Sequence, residues 1–147
     1  MCTIVTTDFE ALYAYKRGDY QPCLQLSTQN VHTLLSARYV SLCCIPLLPE
    51  FIHLLDDDIV SLTALMLMVN TQCRDNPGYT CITELTLSLY LMTQCQLKLH
   101  HSVTSLAQTL DYTKVAQRRH SADFTLNQLT LKLIERKVVA HLTTWLS

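Results

Sequence analysis

The sequence predicts an all-α protein made of antiparallel helix hairpins, and three observations lead there. Two glycines and four prolines in 147 residues supply too few turn formers for a many-stranded sandwich or barrel and suit a few long helices. Apolar residues recur at spacings of three and four along much of the chain, which is the period of an amphipathic helix. Within Leu12 to Leu24, LYAYKRGDYQPCL, an aromatic-rich helical run breaks at Gly18 and a second amphipathic run begins at once. Glycine reaches the left-handed conformation that ends a helix without a Cβ clash. Asp19 is then placed to accept hydrogen bonds from the free amides opening the next helix.

The first helix is expected to start near Asp8, because Thr7 and Glu10 have the spacing of a capping box, in which each side chain satisfies a free amide of the first turn. Phe9, Leu12 and Tyr13 mark one face with Tyr15 beside it, and Lys16 and Arg17 fall in the last turn, where cations meet the negative helix end. The second helix carries Leu24, Val31, Leu34 and Leu35 on one side and should end near Ser36. Pro22 sits in its opening turn, where a missing amide costs nothing.

Residues 37–49, ARYVSLCCIPLLP, contain two prolines that forbid one continuous helix, while Val, Cys and Ile suit a short extended piece. Pro49 and Glu50 open a short helix with Phe51, Leu54 and Leu55. Asp56, Asp57 and Asp58 then cap a helix bearing Ile59, Leu62, Leu65, Met66 and Val69. Asn76-Pro77-Gly78 is a loop, since Pro fixes one turn position and Gly permits the next. It lies in a connection, 71–79, between lobes 1–70 and 80–147 of a single domain spanning 1–147.

The segment ITELTLSLYLMTQCQLKLHH presents a conflict. Leu85, Leu87, Leu89 and Leu91 alternate with polar residues as in a strand, whereas Ile82, Leu85, Leu89 and Met92 recur at helical spacing. The run is longer than an ordinary strand, and Leu, Met and Gln favour helices, so a helix over 82–99 is expected. Ser102 caps the next helix, with Val103, Leu106, Ala107 and Leu110 inside and an end near His120. Asp123 or Thr125 opens the last, whose Leu126, Leu129, Leu133, Ile134, Val138, Leu142 and Trp145 form a broad apolar face.

Hydrophobic content is 49% and charged content only 16%, below the roughly 25% of an average soluble domain, so exposed adhesive surface is expected. The net charge is −1, too balanced to assume nucleic acid as partner. Residues 1–75 hold four basic and eight acidic groups, net −4, and residues 76–147 hold seven and four, net +3. Seven cysteines at 2, 23, 43, 44, 73, 81 and 95 lack the spacing of a secreted disulfide framework and read as free thiols. No secretory leader is recognisable, and the longest apolar clusters, 40–48 and 59–69, fall short of the ~20 residues that cross a bilayer. A cytoplasmic or nuclear setting without membrane insertion is the expectation.

The segment YAYKRGDYQPCLQLS resembles the core of a tetratricopeptide repeat, through Tyr15, Gly18, Asp19, Tyr20 and Cys23. The resemblance covers about a quarter of the chain, with no second clean copy at the 34-residue interval and no proline at the repeat end. In that family a small residue sits where two helices cross closely, and Cys23 takes that place here. A looser pair, 82–99 and 103–119, has Ala107 as its small residue and His100, His101 and Ser102 at its turn. The resemblance implies hairpins stacked as a short tetratricopeptide-like α-solenoid or bundle, in which neighbours close one another's apolar faces.

On that reading the protein is a non-enzymatic scaffold that takes a peptide or helix in a groove between hairpins. Tyr13, Lys16, Arg17 and Tyr20 are the candidate contact residues, and Gly18, Asp19 and Cys23 build the turn beneath them. A blander role has Tyr13 packed internally and the two cations complementing the helix end. An alternative is a small helical nucleic-acid-associated protein using two basic clusters, Lys114, Arg118, Arg119 and His120, and Lys132, Arg136 and Lys137. A third is a fragment of a larger repeat protein.

No cofactor, metal or catalytic residue is expected. Asp56, Asp57 and Asp58 point in different directions and follow no EF-hand pattern. His100-His101 and Cys43-Cys44 lack the spaced pairs of a structural zinc site. Serine elbow, phosphate loop and dinucleotide fingerprint are not found in the sequence.

Overall fold

A computed structural model describes residues 3–36, 44–46, 57, 59–61, 64, 81–119 and 125–146. The fold is all-α. Helices α1 (Thr3–Lys16) and α2 (Tyr20–Ser36) form the first hairpin, and α3 (Glu84–Lys98) and α4 (Val103–Arg119) form a second. Helix α5 (Thr125–Leu146) packs against both α3 and α4. Strands β1 (Cys44–Pro46) and β2 (Cys81–Thr83) pair antiparallel, with Cys44 opposite Thr83 and Ile45 opposite Ile82. Among the described residues no helix is long and apolar enough to cross a membrane.

Helix α3 is the axis of the bundle. It packs against α1, α2, α4 and α5, and twelve of its fifteen residues are buried. A helix enclosed on every side has no solvent face and needs no apolar stripe, which is why Leu85, Leu87, Leu89 and Leu91 alternate with Thr86, Ser88 and Tyr90 and are all buried. The alternation that imitates a strand is thus the signature of a central helix. Its hydroxyls are accommodated locally: Thr93 Oγ1 donates to the carbonyl of Leu89 at 2.8 Å.

The hairpin turns are built alike. Gly18 takes φ +83°, its N–H bonds the carbonyl of Tyr15 at 3.0 Å, and the N–H of Asp19 reaches that of Ala14 at 2.9 Å. This is the Schellman ending expected of a glycine after a helix. At the second turn Ser102 caps α4 as expected, its Oγ accepting the N–H of Ser105 at 3.3 Å.

Four local expectations are corrected. Helix α1 begins at Thr3, before the capping box at Thr7 and Glu10, because β-branched residues weaken a helix by only tenths of a kcal/mol each and an established helix propagates through them. Tyr13 stands outside the face shared by the buried Leu12 and the half-buried Phe9, with Ala11, Ala14 and Tyr15 completing that core face.

The helix expected over 82–99 starts at Glu84, since residues 81–83 are extended and pair with β1. Thr83 is its N-cap, with Oγ1 accepting from the N–H of Thr86 at 3.2 Å. On α4 the inner face is Leu106, Thr109, Thr113 and Ala116, while Val103 and Ala107 are exposed. Ala116 therefore replaces Ala107 as the small buried residue of that helix.

The extended piece expected within 37–49 is β1. Asp57, 59–61 and Ala64 are helical and Ile59 is fully buried. The short helix with Phe51, Leu54 and Leu55, the Asn76-Pro77-Gly78 loop and the 71–79 lobe boundary lie outside the described residues. So do Leu62, Leu65, Met66, Val69, His120, Asp123 and the side chain of Trp145.

Candidate functional site

The end of α1 separates the predicted contact residues into two groups. Tyr13, Lys16 and Arg17 stand at i, i+3 and i+4, one face of a helix, and all three are exposed, with Tyr13 at 48% the most exposed large hydrophobic side chain among the described residues. Tyr20 turns the other way. It is half-buried and packs its ring on Tyr15 with centroids 5.8 Å apart and a tilt of 58°. Tyr15 is itself held to the central helix, its hydroxyl accepting from Gln94 Nε2 at 3.3 Å. The exposed candidate contact residues are therefore Tyr13, Lys16 and Arg17, while Tyr20 packs on Tyr15.

Asp19 opens α2 through its backbone, its carbonyl accepting the N–H of Cys23 at 3.2 Å. Its carboxylate is engaged by Arg17 Nε at 3.2 Å instead of the helix amides expected to use it. With these side chains 65% and 53% exposed, the pair adds little stability, but it fixes the guanidinium beside the turn. Cys23 is fully buried, and its sulfur lies 3.8 Å from Ser27 Oγ. Hydrogen bonding from Cys95 holds the Cys23 thiol below its ordinary range against the opposing effect of burial, and Ser27 assists.

The basic residues of the second half also divide. Lys114 and Arg118 on α4, and Lys132 and Arg136 on α5, are exposed as two i, i+4 pairs on adjoining helices. The helices are joined beside them by Gln117 Nε2 to Glu135 Oε2 at 3.1 Å and by Gln128 Nε2 to the carbonyl of Gln117 at 3.2 Å. Asp111 is the exposed acid on α4. Arg119 points away from this face and donates to the carbonyls of Leu34 and Leu35 at 3.2 and 2.8 Å. It is a cap for α2 and no part of a phosphate-binding cluster. Lys137 is half-buried.

The chain matches no protein-family model, no curated protein and no solved structure.

Sequence reasoning missed three side chains at structurally demanding places. Glu84, in the first turn of α3, is 2% exposed and its Oε1 has no hydrogen-bond partner, so burial pushes its carboxyl above the ordinary range. Cys95, on α3, is fully buried. Tyr112 joins α4 to α2, its hydroxyl 3.2 Å from His32 Nε2 and the rings edge to face at 5.6 Å. Only Glu84 carried a local signal, as the one acid in a long run of apolar and hydroxyl residues. Among the described residues no three His, Cys, Asp or Glu side chains gather to hold a metal ion, and the predicted acidic cap is represented there by the exposed Asp57 alone.

Proposed function

We propose that this chain is a non-enzymatic interaction module that binds a protein segment at the tip of its first hairpin. The observation that carries this reading is Tyr13, a large aromatic side chain held outward at 48% exposure beside Lys16 and Arg17. Aromatic residues and arginine are the side chains enriched at protein interfaces and at their energetic centres. The resemblance of YAYKRGDYQPCLQLS to a tetratricopeptide repeat supports the same class. The partner that suits the surface is a segment with an apolar anchor for the Tyr13 ring and acidic residues for the two cations.

The test is capture from lysate with the wild-type chain and with Tyr13→Ala, Lys16→Ala and Arg17→Ala, singly and together, at two ionic strengths. The triple variant is expected to keep its melting temperature within a few degrees and to lose a partner that the wild type retains. An unchanged set of captured proteins would remove the hairpin tip from the binding surface.

A second reading is favoured by one specific observation, the exposed cations Lys114, Arg118, Lys132 and Arg136 on the adjoining helices α4 and α5. Such a group of cations suits the phosphates of a nucleic acid. With four contacts the logarithm of affinity should fall against the logarithm of salt with a slope of about −3 to −4. Binding that changes little with salt speaks for the hairpin tip, where apolar burial supplies more of the affinity.

A further inference from the structure

The packing of α2 on α3, the most extensive helix contact among the described residues, buries two free thiols that neither surface uses. Cys23 and Cys95 are each fully buried; Tyr15, just before the turn that opens α2, bonds Gln94 of α3, which sets the start of α2 at the level of Cys95, and the Cys95 side chain acts on the Cys23 thiol. Ser27, one turn after Cys23 on α2, is also fully buried and lies against the Cys23 sulfur. Two small side chains in succession let the helices approach closely at this level. A disulfide between them requires a Cβ separation of about 4 Å.

We propose that Cys23 and Cys95 are a modification site, at which a peroxide joins them in a reversible disulfide that locks the first hairpin to the central helix. The Cys23 sulfur attacks one peroxide oxygen, the O–O bond breaks, and the departing hydroxide leaves as water with the thiol proton. The Cys23 sulfenic acid then sits against Cys95. The Cys95 sulfur attacks it, forms the S–S bond and expels hydroxide, which takes the Cys95 proton. Two thiols and one hydrogen peroxide thus become one disulfide and two waters.

Cys23 is the attacking sulfur because its hydrogen bonds favour the thiolate, which is the nucleophilic form. Burial sets the pace, since peroxide reaches the pair only when α2 lifts from α3. It also protects the sulfenic acid from further oxidation, because its nearest reactant is the second thiol. The link closes a loop of 72 residues, from the opening of α2 to the last turns of α3, and a cross-link of that span restricts the unfolded chain strongly.

The experiment treats the full folded chain with a graded series of hydrogen peroxide, blocks remaining thiols after unfolding, and maps linked peptides by mass spectrometry beside a thermal melt. The expected result is a loss of two hydrogens, with a linked peptide joining Cys23 and Cys95 that dominates over linkages to the other five cysteines. A melting temperature raised by several degrees should return to its starting value with dithiothreitol. Cys95→Ser should abolish the link and the rise, and Cys95→Ala serves the same comparison if serine disturbs the core. Cys23 and Cys95 recovered separately blocked, or joined to other cysteines, at peroxide levels that oxidise the rest of the chain would overturn the proposal. So would a melting temperature that falls when the 23–95 link forms.

Discussion

His100 stands at the end of α3 where Gly18 stands at the end of α1. Both are left-handed, with φ of 54° and 83°. The N–H of His100 bonds the carbonyl of Leu97 and that of His101 reaches Gln96, repeating the pattern of Gly18 to Tyr15 and Asp19 to Ala14. A Cβ on Gly18 would meet nothing within 4 Å, so Gly18→Ala adds backbone strain and no clash. The expected loss is about 1 kcal/mol, read as a lower denaturation midpoint. An unchanged midpoint would mean that the left-handed turn contributes nothing to holding the hairpin.

The second turn predicts the opposite sign. His100 adopts the left-handed region with a side chain that resists it, so His100→Gly should relieve the strain and raise stability by a few tenths to about 1 kcal/mol. The gain is reduced by the greater freedom of glycine in the unfolded chain. Denaturant titration of the two variants side by side checks both signs, and a loss on His100→Gly would show that the imidazole makes a compensating contact.

Glu84 makes stability depend on pH in a calculable direction. Its folded carboxyl is raised above the ordinary value of 4.5 by burial. Below that value both states are protonated and the fold keeps its full stability. As pH rises the unfolded chain ionises first, and stability falls until the folded group ionises too, by about 1.4 kcal/mol for each unit of upward shift. Glu84→Gln, uncharged and nearly isosteric, should remove this loss. It should equal wild type at low pH and exceed it at neutral pH, measured as the difference between the two midpoints across the range. Parallel pH profiles would show that the carboxyl is solvated or paired after all.

Among the described residues the helices and both hairpin turns were legible because each depends on local chemistry: helical spacing, Gly18, Ser102 and the Lys and Arg at helix ends. The centre of the bundle was less so. Thr93, Thr109, Thr113 and Thr130 are fully buried, yet a sequence reading counts threonine as polar and assigns the inner face of α4 to Val103 and Ala107. The hydroxyls of Thr93, Thr113 and Thr130 donate to the carbonyl four residues back at 2.8 Å, leaving a methyl group to pack, and Thr109 Oγ1 donates across to Gln96 Oε1 of α3 at 2.7 Å. The candidate surface was legible as a set of residues but not as directions. Tyr13 and Tyr20 belong to one motif, and only the packing of Tyr20 on Tyr15 shows that one faces solvent and the other the core.

Thr113 tests that account of the core. Its Oγ1 donates to the carbonyl of Thr109 at 2.8 Å, an acceptor within its own helix, so Thr113→Val should change stability by less than about 1 kcal/mol. Thr113→Ser keeps the hydroxyl and removes the packed methyl, and should cost about 1 kcal/mol. Thermal or chemical denaturation gives the order. Valine more damaging than serine would make the hydroxyl, not the methyl, the group that the core needs.

Arg118 and Arg119 are neighbours in sequence with separate duties. Helix α2 has no basic residue in its own last turn, and Arg119 supplies one from α4, bonding the carbonyls of Leu34 and Leu35. A charged donor on terminal carbonyls both satisfies them and meets the negative end of the helix. Arg119→Met keeps much of the side-chain bulk and should lower stability by about 1 to 2 kcal/mol, with faster amide exchange at the end of α2. Arg118→Met, on the exposed face, should stay within about 0.5 kcal/mol of wild type. If the α4 and α5 cations bind nucleic acid, that variant alone should shift the salt slope, by about 1. Equal destabilisation by the two substitutions would mean that Arg119 does not cap α2.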